Sequence, residues 1–329
     1  MADKTKGLKE QTEEVIKEAE AIKTLPPLPD ELTGHLKLQK EDNQELLPHL
    51  QAIADRERAV CICFIATHYG KRVSQTKSRW ASIGLFEEFG IEKIISEVSQ
   101  EWLGKDKPKL FLLVNTQGGA VNSSFAIARM IRKNFGSIKV FIPQEAASGG
   151  TLISLAGNKI VMGRKSRLSP IDTQLYYKGH WVSAQSIDRA IEDFDRKFGT
   201  KTADEIPYPY QVMIEKLDPI LWEEWKAKLY QMGAYARQIL QGSNYSKEKI
   251  DQIIFWLIWS QYPHDFFIDR ERAKDVLGLE VESASEDLTT WQVMESWLSL
   301  YLPQGEDQHI IRYVMPAKVA RKELSLIHI

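Results

Sequence analysis

Two short apolar runs and the amphipathic segment between them constrain the fold of this chain more than any other feature. Leu110–Val114 and Ile138–Ile142 are almost wholly apolar, which is typical of strands buried on both faces of a parallel sheet. Between them, apolar residues recur at helical spacing and cover one helix face: Val121, Phe125, Ala128, Ile131 and Phe135. The order strand, helix, strand predicts a βαβ unit with a right-handed crossover and helices on both faces of the sheet.

Each strand of this unit ends in a turn with a chemical use. Gly118 and Gly119 follow the first strand, and glycines let backbone N–H groups point outward at an anion. Ser148 follows the second strand at a helix start, where the positive helix end and the Gly149 N–H would stabilise an oxyanion. Because neighbouring parallel strands end at one sheet edge, the two turns predict a site. In the structural alternative, the small residues only permit close packing and Ser148 caps the helix.

Three motifs in order, and a fourth near the carboxyl end, carry a family resemblance. They are NTQGGAV at 115–121, EAASGGTLISLAGNKIVMG at 145–163, LSPIDTQ at 168–174 and WSQYPHDFFIDRERAKDVLGL at 259–279. Together they resemble the serine dehydrogenase proteinase family, a distant branch of the Clp protease and crotonase superfamily that is related to the signal peptide peptidase A proteases. The resemblance covers about residues 58–278. It implies an α/β fold with repeated β-β-α and βαβ units, a largely parallel sheet and a helical carboxyl-terminal part.

The resemblance also implies catalytic residues. The family's order Ser, Asp, His is matched by Ser148, Asp172 and His264, with the N–H groups of Gly118, Gly119 and Gly149 as an oxyanion hole. In such a triad the histidine accepts the serine proton and the carboxylate fixes the histidine tautomer. The structural alternatives are a turn carboxylate at position 172 and a loop histidine bonded to the neighbouring aspartate at position 264.

The sequence also offers other candidates for the catalytic base. His180 is a second candidate, 32 residues after Ser148. A Ser-Lys dyad, as in the signal peptide peptidase A relatives, would use Lys197 or Lys201. Both lysines lie in charged surroundings, whereas a lysine must be buried to lose its proton near neutral pH. We therefore rank His264 first and a lysine second.

These residues predict a serine endopeptidase that forms an acyl-enzyme at Ser148 and uses no cofactor and no metal. Peptides or unfolded proteins would be its substrates, and the resemblance implies a homo-oligomer. One alternative is a catalytically degenerate scaffold or binding member, because Gln117 and Ala147 replace the family's usual proline and methionine. Another is a crotonase-like acyl-thioester enzyme. Crotonases need no nucleophile, so the serine at the helix start favours the peptidase.

Charge and cysteine content limit the partners. A formal net charge of −2 gives no general attraction to nucleic acid. No apolar run approaches the roughly 18 residues that a membrane helix needs, so we expect no integral membrane segment and a cytoplasmic protein. Cys61 and Cys63 would lie on one face of a strand, which predicts reduced core residues rather than a disulfide.

The predicted domain division has four parts. A charged, proline-containing arm spans 1–45, the peptidase domain spans 46–282 and a carboxyl-terminal extension spans 283–323. The last six residues, LSLIHI at 324–329, are what a transposase sequencing adapter encodes in one reading frame. We therefore predict a non-native tail in which His328 has no function.

The remaining patterns predict further elements. A strand is expected at Ala59–Thr67 and a helix at Phe86–Val98. Beyond Gln174 the chain is predicted to be mostly helical, with a helix at Ile187–Phe198. One apolar stripe from Ile214 to Ile239 predicts a single helix of about seven turns. Ser246 is expected to cap the helix after that.

Overall fold

The structure is a computed structural model. It describes residues 44–67, 82–102, 104, 106–177, 180–216, 218–260, 263, 265–301 and 308–317. All but the last two residues of the predicted arm, and all of the predicted tail at 324–329, lie outside this range.

The helices and strands of the described residues are named here in chain order. The α-helices are α1 Leu46–Glu57, α2 Leu85–Glu101, α3 Val121–Asn134, α4 Gly149–Ser154, α5 Ala184–Phe198, α6 Tyr208–Glu215, α7 Pro219–Leu240, α8 Lys247–Ile254 and α9 Leu288–Ser299. The strands are β1 Ala59–Thr67, β2 Lys109–Thr116, β3 Ile138–Ile142, β4 Glu145–Ala146, β5 Lys159–Met162, β6 Arg167–Leu168, β7 Gln174–Tyr177, β8 His180–Ser183, β9 Val281–Ser283 and β10 Gln308–Val314.

The central sheet is largely parallel, as the sequence predicts. Its strand order is β10-β1-β2-β3-β5-β9, and only the pair β10 and β1 is antiparallel among these neighbours. The short strands β4 and β6 continue from the end of β2, where Thr116 pairs with Ala146 and Ala146 pairs with Leu168. The α/β fold of the Clp and crotonase type is thereby confirmed.

Helices cover both faces of the sheet because its central strands are apolar on both. Every residue of β1 is buried. Cys61, Cys63 and Ile65 point to one face and pack with residues of α1 and α9, among them Trp297. The alternate residues of β1 point the other way, and the mutually packed helices α2, α3 and α4 bury their apolar residues there. Both thiols are free and buried, which confirms the prediction of reduced core cysteines.

The predicted seven-turn helix is wrong in one respect, because it is divided into α6 and α7. Pro219 begins α7, and proline disfavours a helical conformation in the residue before it. Asp218 caps the new helix by accepting from the N–H groups of Ile220 (2.9 Å) and Leu221 (3.3 Å). The predicted cap of α8 is confirmed, since Ser246 Oγ accepts from Lys249 N–H at 3.3 Å.

The chain beyond Gln174 is mostly helical, as predicted, but it also contributes strands that the sequence analysis missed. Strands β7 and β8 form an antiparallel hairpin. Strand β10, from the segment predicted as an extension, pairs with β1 along Cys61–Thr67. That segment therefore shares the core of the main domain. Among the described helices, none has the length and apolar composition needed to cross a bilayer.

Candidate active site

Ser148 has a strained backbone in the turn between β4 and α4. Its φ is 50° and its ψ is −111°, a conformation that residues with a Cβ rarely adopt. The side chain makes no capping hydrogen bond to α4, so the alternative of Ser148 as a simple helix cap is wrong. Ser148 is half-buried, while Ala147 and Gly149 on either side are buried. The turn therefore leaves Ser148 partly accessible between two buried neighbours.

The glycine turn after β2 lies directly against Ser148. Gly118 has a φ of 107°, and a Cβ built on it would lie 2.8 Å from Ser148 Cβ and 3.1 Å from Gly149 N. A Cβ built on Gly149 would lie 3.4 Å from Gly119 N. Glycine is needed at both turns, because a Cβ on Gly118 would overlap Ser148 and a Cβ on Gly149 would overlap Ser124 Oγ. The structure thus brings together Ser148, Gly118, Gly119 and Gly149.

The three glycine amides differ in what they bind. Gly118 N–H donates to Thr116 Oγ1 at 3.1 Å, so this proton is already used. The peptide edge around Gly119 is partly covered by Ile83, whose N–H donates to the Gly118 carbonyl at 2.9 Å. Within the part of the chain that the structure describes, the N–H groups of Gly119 and Gly149 donate to no acceptor. These are the two amides that can bind an added oxyanion.

Thr116 organises the glycine turn, and the sequence analysis did not single it out. It is fully buried at the end of β2. Its Oγ1 donates to the Ala66 carbonyl at 2.7 Å while accepting from Gly118 N–H. Thr116 therefore ties the glycine turn to the end of β1. The bond to Gly118 is a local turn contact two residues away, but the Ala66 partner is identified only by the fold.

The loop after β6 carries Asp172 and contacts the serine turn. Asp172 is only 6% exposed. Ser169, three residues earlier, accepts from Ser148 N–H through its Oγ at 2.9 Å. Three residues of extended chain span at most roughly 11 Å, which bounds the separation of the Asp172 and Ser169 backbones. A distant segment of the chain also holds this loop, because Ile171 N–H donates to the Leu257 carbonyl at 2.8 Å.

Of the candidate bases, the structure describes the two lysines but neither of the two histidine side chains. His264 lies outside the described residues, and so does the side chain of His180 at the start of β8. Lys197 Nζ pairs with Asp193 Oδ2 at 2.6 Å, and the Lys197 side chain is 49% exposed. Lys201 is exposed, with its Nζ 5.7 Å from the ring centroid of Phe198. Neither lysine is in the buried environment that a neutral lysine requires.

Comparison with known sequences places the chain in a family. A family model described as ClpP-like SDH-type serine proteinase matches residues 57–325. The chain belongs to this family. It is 33% identical over 211 residues to the uncharacterized protein MJ0137 of Methanocaldococcus jannaschii, an alignment that covers 62% of this chain and 66%, just under two thirds, of that relative. It is 27% identical over 274 residues to the uncharacterized protein MJ1495 of the same organism, covering 81% of this chain and 84% of that relative.

Two of the solved structures that are similar to this chain differ from each other in function. The 1510-N membrane-bound stomatin-specific protease, solved in complex with a substrate peptide, has 15% identity and a TM-score of 0.39 over 69% of this chain and 77% of that chain. A Pseudomonas malonate decarboxylase hetero-tetramer in complex with malonate has 15% identity and a TM-score of 0.25 over 41% of this chain and 56% of that chain.

Proposed function

We propose that this family member is a serine endopeptidase with Ser148 as its nucleophile. The observation that carries the proposal is the strained serine turn in contact with the glycine turn. A serine that neither caps its helix nor adopts a relaxed backbone is held for a reason other than stability. The two unoccupied amides of Gly119 and Gly149 supply what its reaction needs, a pair of donors for a developing oxyanion.

The proposed reaction begins with the attack of Ser148 Oγ on a peptide carbonyl carbon. The carbonyl oxygen becomes an oxyanion between the N–H groups of Gly119 and Gly149, and the base takes the serine proton. The base then gives this proton to the leaving amine as the peptide C–N bond breaks. Water then attacks the carbonyl carbon of the acyl-enzyme. The base takes a proton from this water and gives a proton to Ser148 Oγ as the ester bond breaks. Gly118 is left out of the donor pair because Thr116 already accepts its proton.

For the base we propose His264, with Asp172 as its carboxylate partner. Two contacts support this choice. Leu168 and Ile268 exchange hydrogen bonds of 2.9 and 3.0 Å, and Ile171 binds the Leu257 carbonyl. Residues on either side of position 264 are thus bonded to the loop that carries Asp172. The ion pair and exposure of Lys197 argue against a lysine base.

Peptides or unfolded proteins are the proposed substrates, and a homo-oligomer is the proposed assembly. Exposed apolar side chains on α6 and α7 support self-association, namely Tyr208, Met213, Ile220 and Tyr230. The cytoplasmic location stays a prediction.

The test is covalent labelling with a fluorophosphonate probe, which reacts with activated serines. We expect one labelled site, Ser148, and no labelling of Ser148→Ala. The melting temperature of that variant should stay close to that of the parent, because Ser148 Oγ makes no capping bond that the change would remove.

Ser299→Ala is the matched control, since Ser299 is an exposed serine whose Oγ only donates to the Glu295 carbonyl at 2.8 Å. It should label like the parent. Absence of labelling in a folded parent, or labelling that persists in Ser148→Ala, would contradict the proposal.

A further inference from the structure

The peptide planes on both sides of Ser148 are fixed by hydrogen bonds. Before it, Ser148 N–H donates to Ser169 Oγ at 2.9 Å and Gly150 N–H donates to the Ala147 carbonyl at 2.7 Å. After it, Leu152 N–H donates to the Ser148 carbonyl at 3.1 Å. These planes define φ and ψ of Ser148. The bond to Ser169 is the one among these contacts that comes from a side chain of another loop.

Ser169 is itself locked in place. It is 6% exposed, and its Oγ donates to the Pro170 carbonyl at 3.1 Å. Its backbone is held by Thr151, whose Oγ1 accepts from Ser169 N–H at 3.3 Å and lies 2.8 Å from the carbonyl oxygens of both Ser169 and Ala146. With its own proton given to Pro170, the Ser169 hydroxyl presents a lone pair to Ser148 N–H. It is therefore an acceptor in a fixed position.

The direction of two reactive groups depends on this acceptor. If φ of Ser148 relaxed to negative values, the Ser148 side chain, whose Cβ lies beside Gly118, would be displaced. The peptide between Ser148 and Gly149 would also rotate, and with it the Gly149 N–H. Loss of the Ser169 hydroxyl would favour such a relaxation, because a buried N–H without an acceptor is unfavourable.

We propose that Ser169 is a positioning residue, which holds the strained Ser148 backbone so that Ser148 Oγ and Gly149 N–H face the same substrate carbonyl. This inference rests on the proposed peptidase function. Ser169 acts only through Ser148, and it lies in the same loop as Asp172. The same loop thus contacts the serine turn through Ser169 and carries the proposed carboxylate.

The test compares the kinetics of fluorophosphonate inactivation in Ser169→Ala, Ser169→Thr and the parent. We expect the limiting inactivation rate of Ser169→Ala to fall by about 10- to 100-fold, the effect of a displacement of about 1 Å in a reacting group. The probe concentration at half-saturation should change by less than about twofold, because the substitution removes no surface that the probe touches. Ser169→Thr keeps the hydroxyl and should restore most of the rate.

Ser166→Ala is the matched control. Ser166 is also a buried serine that accepts a backbone N–H, from Gly163 at 2.7 Å, and donates to the Ile142 carbonyl. It should lose stability as Ser169→Ala does but keep the inactivation rate. An unchanged rate in Ser169→Ala, or an equal loss in Ser166→Ala, would overturn the positioning role.

Hydrogen exchange of the Ser148 amide provides a readout that does not depend on activity. We expect faster exchange in Ser169→Ala and unchanged exchange in Ser166→Ala. If the parent is not labelled at all, the peptidase proposal fails, and the exchange rates still decide whether Ser169 holds Ser148. Unchanged exchange in Ser169→Ala would overturn the inference whatever the activity.

Discussion

The contact between the glycine turn and the serine turn predicts that Gly118→Ala severely destabilises the protein. A φ of 107° is unfavourable for alanine and costs about 1–3 kcal/mol. The new Cβ would also lie 2.8 Å from Ser148 Cβ and 3.0 Å from the Ala147 carbonyl oxygen, closer than normal contact. Overpacking of this kind costs about 1–3 kcal/mol more. We expect the free energy of unfolding to fall by about 2–6 kcal/mol in total.

Gly233→Ala is a control that makes the same chemical change with the opposite expected sign. Gly233 lies inside α7 in an ordinary helical conformation. A Cβ there would meet its nearest neighbours, Trp259 and Ile254, at 3.9 and 4.0 Å, which is normal van der Waals contact. Alanine is favoured over glycine in a helix interior, so this variant should be more stable by about 0.5–1 kcal/mol.

The measurement is urea unfolding followed by tryptophan fluorescence, combined with fluorophosphonate labelling of the folded protein. The two variants should differ by at least about 2.5 kcal/mol, which is about seventyfold in the unfolding equilibrium. Folded Gly118→Ala should also label poorly, because the added methyl group displaces Ser148. A Gly118→Ala protein that is as stable as the parent and labels at the same rate would refute the contact between the two turns.

Two further predictions concern the base and the cysteines. If His264 is the base, the inactivation rate should rise with pH through the ordinary imidazole pKa of about 6.5 and then level off. His264→Ala should lose several orders of magnitude in rate while Lys197→Ala stays near the parent, and the reverse pattern would establish a lysine dyad. Burial raises the pKa of Cys61 to about 12, so at pH 8 only about one thiol in ten thousand is ionised. Native protein should therefore resist iodoacetamide and react at both cysteines in denaturant; fast reaction of the native protein would show that β1 is not closed.

Much of the fold follows from local patterns in the sequence. Ile138–Ile142 and Ala59–Thr67 are predicted to the residue, because each is an almost wholly apolar run with polar residues or proline beside it. The division between α6 and α7 was also readable, since Asp218-Pro219 is a cap followed by a helix-starting proline. The apolar stripe continues through Asp218-Pro219, and this continuity led to the prediction of one uninterrupted helix. The β7–β8 hairpin had a signal as well, a two-residue connection ending in Gly179.

The candidate site likewise contains residues that the sequence predicts and residues that only the folded structure reveals. Ser148 and the glycines were found because each follows a buried strand, and the topology of parallel sheets brings such turns together. Thr116 and Ser169 were missed because each role needs at least one partner far away in the chain. The Thr116 hydroxyl binds Ala66, and Ser169 binds a residue 21 positions earlier. No spacing rule connects such pairs, so only the folded structure reveals them.

The pairing of β10 with β1 has a consequence for how the chain is synthesised. Strand β1, AVCICFIAT, is wholly buried, and its outer edge is closed by a strand that begins more than two hundred residues later. Until the ribosome has released residues 308–314, the nascent protein carries an apolar, β-branched strand with unpaired backbone groups along one side. Such an edge is a template for pairing with another chain. The final strand therefore seals an aggregation-prone strand, and a chaperone would protect β1 in the interval before that strand arrives.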